Sequence, residues 1–257
     1  MPWRDDKYCM AARHWFLAAY LVPLHVALAI LVSRPDLAAR VHARIWPAPE
    51  VEVPSPFRQT TAAMQRTLDL TVRPGAVWFF GDSIIHMLDT ARVTPRALNL
   101  GIGEDTIAGV YQRVAGRPAL ASAAGVVIAA GTNDLLYRTP EAAGQIYAAL
   151  LARLPPSLPV VASAVLPVDE AARPQLAGRN AVIRRLNTAI AHACAQHPGC
   201  LFADAGPRLA TQAGSLAPEH HRGDGLHLNA SGYRHLIDTL SASYPSATIP
   251  ICSSRHT

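Results

Sequence analysis

Five apolar runs mark the chain from Ala76 onward, at Ala76 to Phe80, Ala97 to Leu100, Val126 to Ala130, Val160 to Leu166 and Leu201 to Ala203. Between and after them lie stretches with helical character, near residues 106–115, 140–154, 179–196 and 230–243. Runs that stay apolar, with no alternation of apolar and polar positions, suit strands buried on both faces, as in a parallel sheet with helices above and below. Strand and helix in alternation therefore predict an α/β domain over residues 74–245, without internal repeats. A chain of 257 residues, half of them hydrophobic, can bury one substantial core and does not demand a second domain.

Upstream of that domain the pattern changes. Trp15 to Val32 is an 18-residue stretch with no formally charged side chain, interrupted by Pro23 and His25. It sits near the lower limit for crossing a bilayer. Ser33-Arg34-Pro35-Asp36 is a poor cleavage site, so the N-terminal segment 1–45 is expected to carry an uncleaved membrane anchor over 15–32. The alternative is a short hydrophobic helix packed on the domain. Pro47, Pro49, Pro54 and Pro56 then favour an extended tether, which gives a tether and lead-in over 46–73. Residues 246–257 read as a C-terminal tail.

Charge adds little to this picture. Of the net charge of +5, Met1 to Pro47 holds +3, from Arg4, Lys7, Arg13, Arg34, Arg40 and Arg44 against Asp5, Asp6 and Asp36. The remaining +2 is spread without a basic run or an interleaved aromatic platform, so no nucleic-acid partner is expected. The basic residues flanking 15–32 are equal in number on each side and leave the orientation of an anchor open. Cys194 and Cys200 flank a predicted turn and are candidates for a small disulfide loop, which would need an oxidising compartment; two buried free thiols are the equal alternative.

The chemistry starts where the first apolar run breaks into Gly81-Asp82-Ser83. Gly81 permits a sharp turn, and Asp82 and Ser83 are types that open helices, so the Ser83 hydroxyl is expected at the carboxyl edge of the sheet, where open α/β sheets place their ligands. A helix cap without chemistry would use the same residues. Three further stretches bear on the choice: Asn99-Leu100-Gly101-Ile102-Gly103-Glu104-Asp105-Thr106, Gly131-Thr132-Asn133-Asp134, and Gly223-Asp224-Gly225-Leu226-His227-Leu228-Asn229. A serine needs a base, and a histidine base needs a group that holds its tautomer and position. Asp224, three residues before His227, can supply that group from one loop, or can merely order the loop.

Together and in this order the four stretches resemble the sequence blocks of the SGNH, or GDSL-type, serine hydrolases, over roughly residues 74–243. The resemblance implies a three-layer, flavodoxin-like α/β fold with a five-stranded parallel sheet, joined here to the N-terminal hydrophobic helix. It implies ester hydrolysis through an acyl-enzyme, with Ser83 as nucleophile, His227 as base and Asp224 as its partner. The oxyanion would be stabilised by Asn133 and by backbone amides of Ser83 and of the 101–105 turn. The chain departs from the family at Glu104, where glycine is usual. A glutamate there would be strained if the turn needs a positive φ, and Gly103 could carry the role in its place.

The substrate is expected to be a small-molecule, lipid or glycan ester, with loops 135–139 and 168–178 shaping the choice. Neither cofactor nor metal is expected. Acyl transfer by the same residues is an alternative, as is a binding domain with a decayed site. A third alternative is a metal-dependent hydrolase built from His220, His221, Asp224 and His227, which supply enough nitrogen and oxygen ligands within eight residues. An anchored esterase is expected on the extracytoplasmic side of its membrane, with a cytoplasmic location as the alternative.

Overall fold

The computed structural model describes residues 20–26, 33 and 52–244. The chain divides into two compact units, Met1–Pro49 and Glu50–Thr257. In the first, residues 20–26 are helical and exposed. Most of the expected anchor at 15–32, and the tail 246–257, lie outside the described residues. Among the described residues no helix is long and apolar enough to cross a membrane.

The second unit is a three-layer α/β fold. In chain order it runs α1 (Pro56–Thr67), β1 (Val77–Gly81), α2 (Ser83–His86), β2 (Ala97–Gly101), α3 (Ile107–Val114) and β3 (Gly125–Ala129). It continues with α4 (Asp134–Tyr137), α5 (Pro140–Leu151), β4 (Val160–Ser163), α6 (Arg179–Ala195), β5 (Cys200–Ala203), α7 (Gly206–Leu209) and α8 (Ala230–Ser243). The five strands are all parallel, in the order β2-β1-β3-β4-β5. That is the flavodoxin-like order, with its switch point beside β1.

Every residue of β1, β3 and β4 is buried, which is why their sequences are apolar but for Ser163 at the end of β4. Alternate side chains feed two separate cores. Trp78, Phe80, Val126, Ile128, Val160 and Ala162 pack with Val110, Tyr147, Leu150, Leu186 and Ile190 from α3, α5 and α6. Val77, Phe79, Val127, Ala129 and Val161 pack with Ile84, Ile85, Leu236, Ile237 and Leu240 from α2 and α8. Each fully buried Leu, Ile or Phe contributes about 1.5–3 kcal/mol, so the sheet is the rigid platform of the unit.

The strand ends are built for close approach. A Cβ on Gly81 would lie 2.3 Å from the Ala129 carbonyl oxygen, and one on Gly101 would lie 2.2 Å from the His86 amide nitrogen. Glycine at these two positions lets α2 turn tightly over the ends of β1 and β2.

Two segments differ from the sequence reading. The expected strand over 160–166 ends at Ser163, after which Val165 and Val168 donate their N–H groups to the side chains of Asn187 and Asn180. Apolar residues continue there because the loop is buried, and asparagines from α6 replace the ladder. The second difference is at 46–73, expected to be a tether and lead-in: the lead-in is folded from Glu52 on. Pro56 occupies the first turn of α1, where a missing N–H costs nothing, and Ser55 caps it by accepting from the Arg58 N–H at 3.2 Å. Pro56, one of the prolines that suggested an extended chain, starts a helix.

Candidate active site

Asp82 caps α2 by accepting the Ile84 N–H at 2.9 Å, and this holds Ser83 in the first helical position at the carboxyl end of β1. Asn99 fixes the far end of α2, donating through Nδ2 to the Ile85 and Leu88 carbonyls. Tyr233 of α8 adds a bond from its hydroxyl to the Ile84 carbonyl at 3.0 Å.

Ser83 Oγ lies 3.1 Å from His227 Nε2, and His227 Nδ1 lies 2.7 Å from Asp224 Oδ2. The other carboxylate oxygen, Asp224 Oδ1, accepts the backbone N–H groups of Leu226 and His227 at 3.0 and 2.8 Å. Partial burial works against the Asp224 carboxylate. The His227 ring and these two amides outweigh that and hold its pKa down at about 2. A permanently ionised Asp224 bonded at Nδ1 assigns the ring proton to Nδ1 and leaves the Nε2 lone pair facing the serine hydroxyl.

The turn after β2 holds two of the other predicted residues, Gly103 and Glu104. Glu104 has φ 67°, the only positive φ at a non-glycine position among the described residues. The N–H groups of Ser83 and Glu104 have no acceptor among the described residues. Gly103 differs from the expectation that it could carry the role in place of Glu104: its N–H donates to His86 Nδ1 at 3.2 Å, and its φ is not in the left-handed region. Asn133 lies at the start of α4 and donates one Nδ2 hydrogen to the Asp105 carbonyl at 2.9 Å, leaving its second N–H for another acceptor.

Around this turn lies a buried charge network that the sequence does not announce. Glu52 accepts from Arg58 Nη2 at 2.9 Å and from the Thr106 hydroxyl at 2.6 Å, and Arg138 bridges Glu52 to Asp134. Asp105 accepts from Arg58 at 3.0 Å and from Arg113 Nε at 2.9 Å, while Asp134 accepts the Ile107 N–H at 2.7 Å. Burial raises the Asp134 pKa to about 6 despite Arg138, and burial raises that of Asp82 to about 7. No local spacing connects Glu52, before α1, to Arg138, after α4. Chemically plausible ion pairs so distant in sequence give periodicity nothing to detect.

The three histidines of the C-terminal loop face three different partners. His220 Nδ1 is 3.2 Å from the Ser231 hydroxyl and its ring packs edge-on against His235, whereas His221 Nε2 is 3.3 Å from Asp169 Oδ2. Among the described residues no group of three or more His, Cys, Asp or Glu side chains is placed to hold a metal ion. The metal-site alternative therefore lacks a convergent ligand set, because the rings belong to a hydrogen-bonded loop.

Comparison with known proteins matches residues 79–235 to the GDSL-like Lipase/Acylhydrolase family. Platelet-activating factor acetylhydrolase IB subunit alpha1 from Bos taurus is 29% identical over 201 residues, covering 73% of this chain and 82% of that protein. A solved structure from Streptococcus pneumonia, described as a candidate platelet activating factor, superposes with a TM-score of 0.65 at 24% identity over 72% of this chain and 92% of the other. A GDSL-like lipase from Bacteroides thetaiotaomicron superposes with a TM-score of 0.58 at 22% identity, over 71% and 97%. The matched region runs from β1 into α8 and so contains Ser83, the turn after β2, Asn133 and the Asp224–His227 loop, and the chain belongs to the GDSL-like lipase/acylhydrolase family of hydrolases.

Proposed function

We propose that this hydrolase cleaves carboxylic esters through an acyl-enzyme on Ser83. The observation that carries the reading is the continuous hydrogen-bonded line from Ser83 Oγ through His227 to Asp224, at 3.1 and 2.7 Å. His227 Nε2 takes the hydroxyl proton as Oγ bonds to the ester carbonyl carbon, and the carbonyl π electrons move to oxygen. That oxygen is met by the free N–H groups of Ser83 and Glu104 and the second N–H of Asn133. As the tetrahedral centre collapses, the C–O bond to the alcohol breaks and the imidazolium returns the proton to the leaving oxygen. Water then repeats the sequence on the acyl-serine, releasing the acid. Each amide donor at such an oxygen is worth about 3 kcal/mol or more in the transition state.

The acetylhydrolase name of the bovine relative favours short acyl groups, acetyl above all. The location is part of the same proposal: the domain works outside the cytoplasm, held at a membrane by residues 15–32. The disulfide between Cys194 and Cys200 supports it, because such bonds persist in oxidising compartments.

The test is Ser83→Ala, assayed on 4-nitrophenyl acetate and with a fluorophosphonate probe. Hydrolysis and labelling should both vanish while the thermal midpoint stays within a degree or two, since the hydroxyl contributes little packing. An unchanged hydrolysis rate in this variant sinks the serine mechanism.

A further inference from the structure

We infer that His221 is a positioning residue for the catalytic loop, clamping the backbone on both sides of Asp224. The inference rests on the assignment of Asp224 and His227 just proposed. His221 is 8% exposed, and its Nδ1 receives two backbone N–H groups, from Gly223 at 3.0 Å and Gly225 at 3.1 Å. Both neighbours of Nδ1 are donors that can do nothing else, so Nδ1 carries the lone pair and the ring proton is on Nε2. That proton is donated to Asp169 Oδ2 at 3.3 Å.

The two clamped glycines bracket Asp224, whose own carboxylate orders the loop only on its far side, at the Leu226 and His227 N–H groups. Gly223 and Gly225 have φ of 90° and 73°, a region that neither strand nor helix enforces. A Cβ at Gly225 would meet the Asp169 carbonyl oxygen at 2.7 Å, so the loop presses directly on the chain that anchors His221. Asp169 binds that loop a second time, donating its own N–H to the Gly225 carbonyl at 2.8 Å. The dependence thus runs from Asp169 to His221, from His221 to the two glycine amides, and through Asp224 to His227 and Ser83. Asp169 belongs to the 168–178 loop, expected from the sequence to shape substrate choice, so the clamp ties that loop to the catalytic carboxylate.

A buried histidine could serve stability alone, and the two roles separate experimentally. Asparagine at 221 puts an oxygen with two lone pairs where Nδ1 stood, whereas leucine fills the space without an acceptor. With the full chain and 4-nitrophenyl acetate, His221→Leu should lower kcat on the order of a hundredfold, the scale of an ångström-level misplacement, with KM little changed. His221→Asn should recover most of it. In an Asp224→Asn background, His221→Leu should cost nothing further, because its effect passes through Asp224.

Unchanged kcat in His221→Leu, an asparagine variant as impaired as leucine, or losses that multiply in the double variant would each overturn the inference. Should His221→Leu fail to fold, His221→Gln replaces it, with its polar end at the Nε2 position and no acceptor for the glycines; equal kcat for Gln and Asn overturns the clamp. Fluorophosphonate labelling of the unmodified protein keeps the underlying reading distinct. No labelling removes the serine mechanism and this inference with it, whereas labelling together with unchanged kcat in His221→Leu removes the clamp alone.

Discussion

Glu104→Gly tests the oxyanion turn at its most unusual residue. Glu104 holds φ 67°, where an L side chain crowds the following carbonyl at a cost of about 1–2 kcal/mol. Glycine removes that cost but gives the unfolded chain more freedom, worth roughly 0.4–1 kcal/mol in the other direction. The expected net gain is therefore about 0–1.6 kcal/mol, centred on ~0.8 kcal/mol. For a folded unit of this size the centre of that range corresponds to roughly 2–3 °C in thermal midpoint. Glu104→Ala is the control, since it removes the carboxylate while keeping the β-carbon that makes the conformation costly, and its midpoint should hardly move. In kinetics both variants keep the free amide, so kcat/KM on 4-nitrophenyl acetate should stay within a few-fold of the parent. Each tenfold change would correspond to about 1.4 kcal/mol of transition-state stabilisation. An equal rise of kcat in both variants would assign the effect to removal of a negative charge near the developing oxyanion. A glycine variant less stable than the parent would refute the strain argument, and a loss of a hundredfold or more in both would show that the carboxylate itself acts on substrate.

Three further outcomes follow from buried groups. Tyr147 is fully buried and its hydroxyl has no partner among the described residues, so Tyr147→Phe should raise stability by about 1 kcal/mol in urea denaturation. Asp82 titrates near 7 in the folded state against an ordinary 3.8, so the folded form binds the extra proton between those values and stability is lost as pH rises through about 4 to 7. Asp82→Asn keeps the cap acceptor without the ionisation, so its stability advantage over the parent should be larger at pH 8 than at pH 4, by a few kcal/mol at most. Opening the Cys194–Cys200 loop, with a sequence separation of 6, should cost on the order of 2 kcal/mol in the chain-entropy model. Thiol labelling of acid-quenched, denatured protein from its native host should find both cysteines blocked until reduction, and free thiols there would remove the support that the bridge lends to an extracytoplasmic location.

The parts of this molecule that could be read from its sequence are those where one local pattern has one physical meaning. The apolar runs of β1, β3 and β4 required burial on both faces, and the Gly-Asp-Ser break required a turn at the sheet edge. The Asp224–His227 spacing fits a single loop, and the structure closes it onto Ser83. Legibility failed where a residue type has two uses. Pro54 and Pro56 suit an extended tether as well as a helix start, and only tertiary contacts decide between them. His220 and His221 suit metal ligation as well as loop bracing, and the partners that decide, Ser231 and Asp169, lie 11 and 52 residues away. Gly103 and Glu104 could not be ranked as donors before the His86 ring was seen to occupy the Gly103 amide.

The buried ion network also changes where the functional unit begins. The family match starts at residue 79, yet Glu52 and Arg58 reach the turn after β2 from outside it. Asp105, one residue after Glu104, has two guanidinium partners, Arg58 and Arg113. Its carbonyl also receives the Asn133 amide, so both expected side-chain and backbone donors at the oxyanion depend on where Asp105 sits. Three carboxylates, Glu52, Asp105 and Asp134, are matched by three guanidiniums, Arg58, Arg113 and Arg138, and almost all are withdrawn from water. Such a set adds little net stability compared with apolar packing, but removing one member leaves an uncompensated buried charge at about 3–5 kcal/mol. The geometry of the turn is thereby made conditional on the lead-in: without residues 52–58 Asp105 loses one of its two cations and Arg138 loses Glu52. Residues 52–58 of the segment that sequence alone assigns to a tether and lead-in are a structural part of the catalytic unit, and β1 cannot be taken as its start.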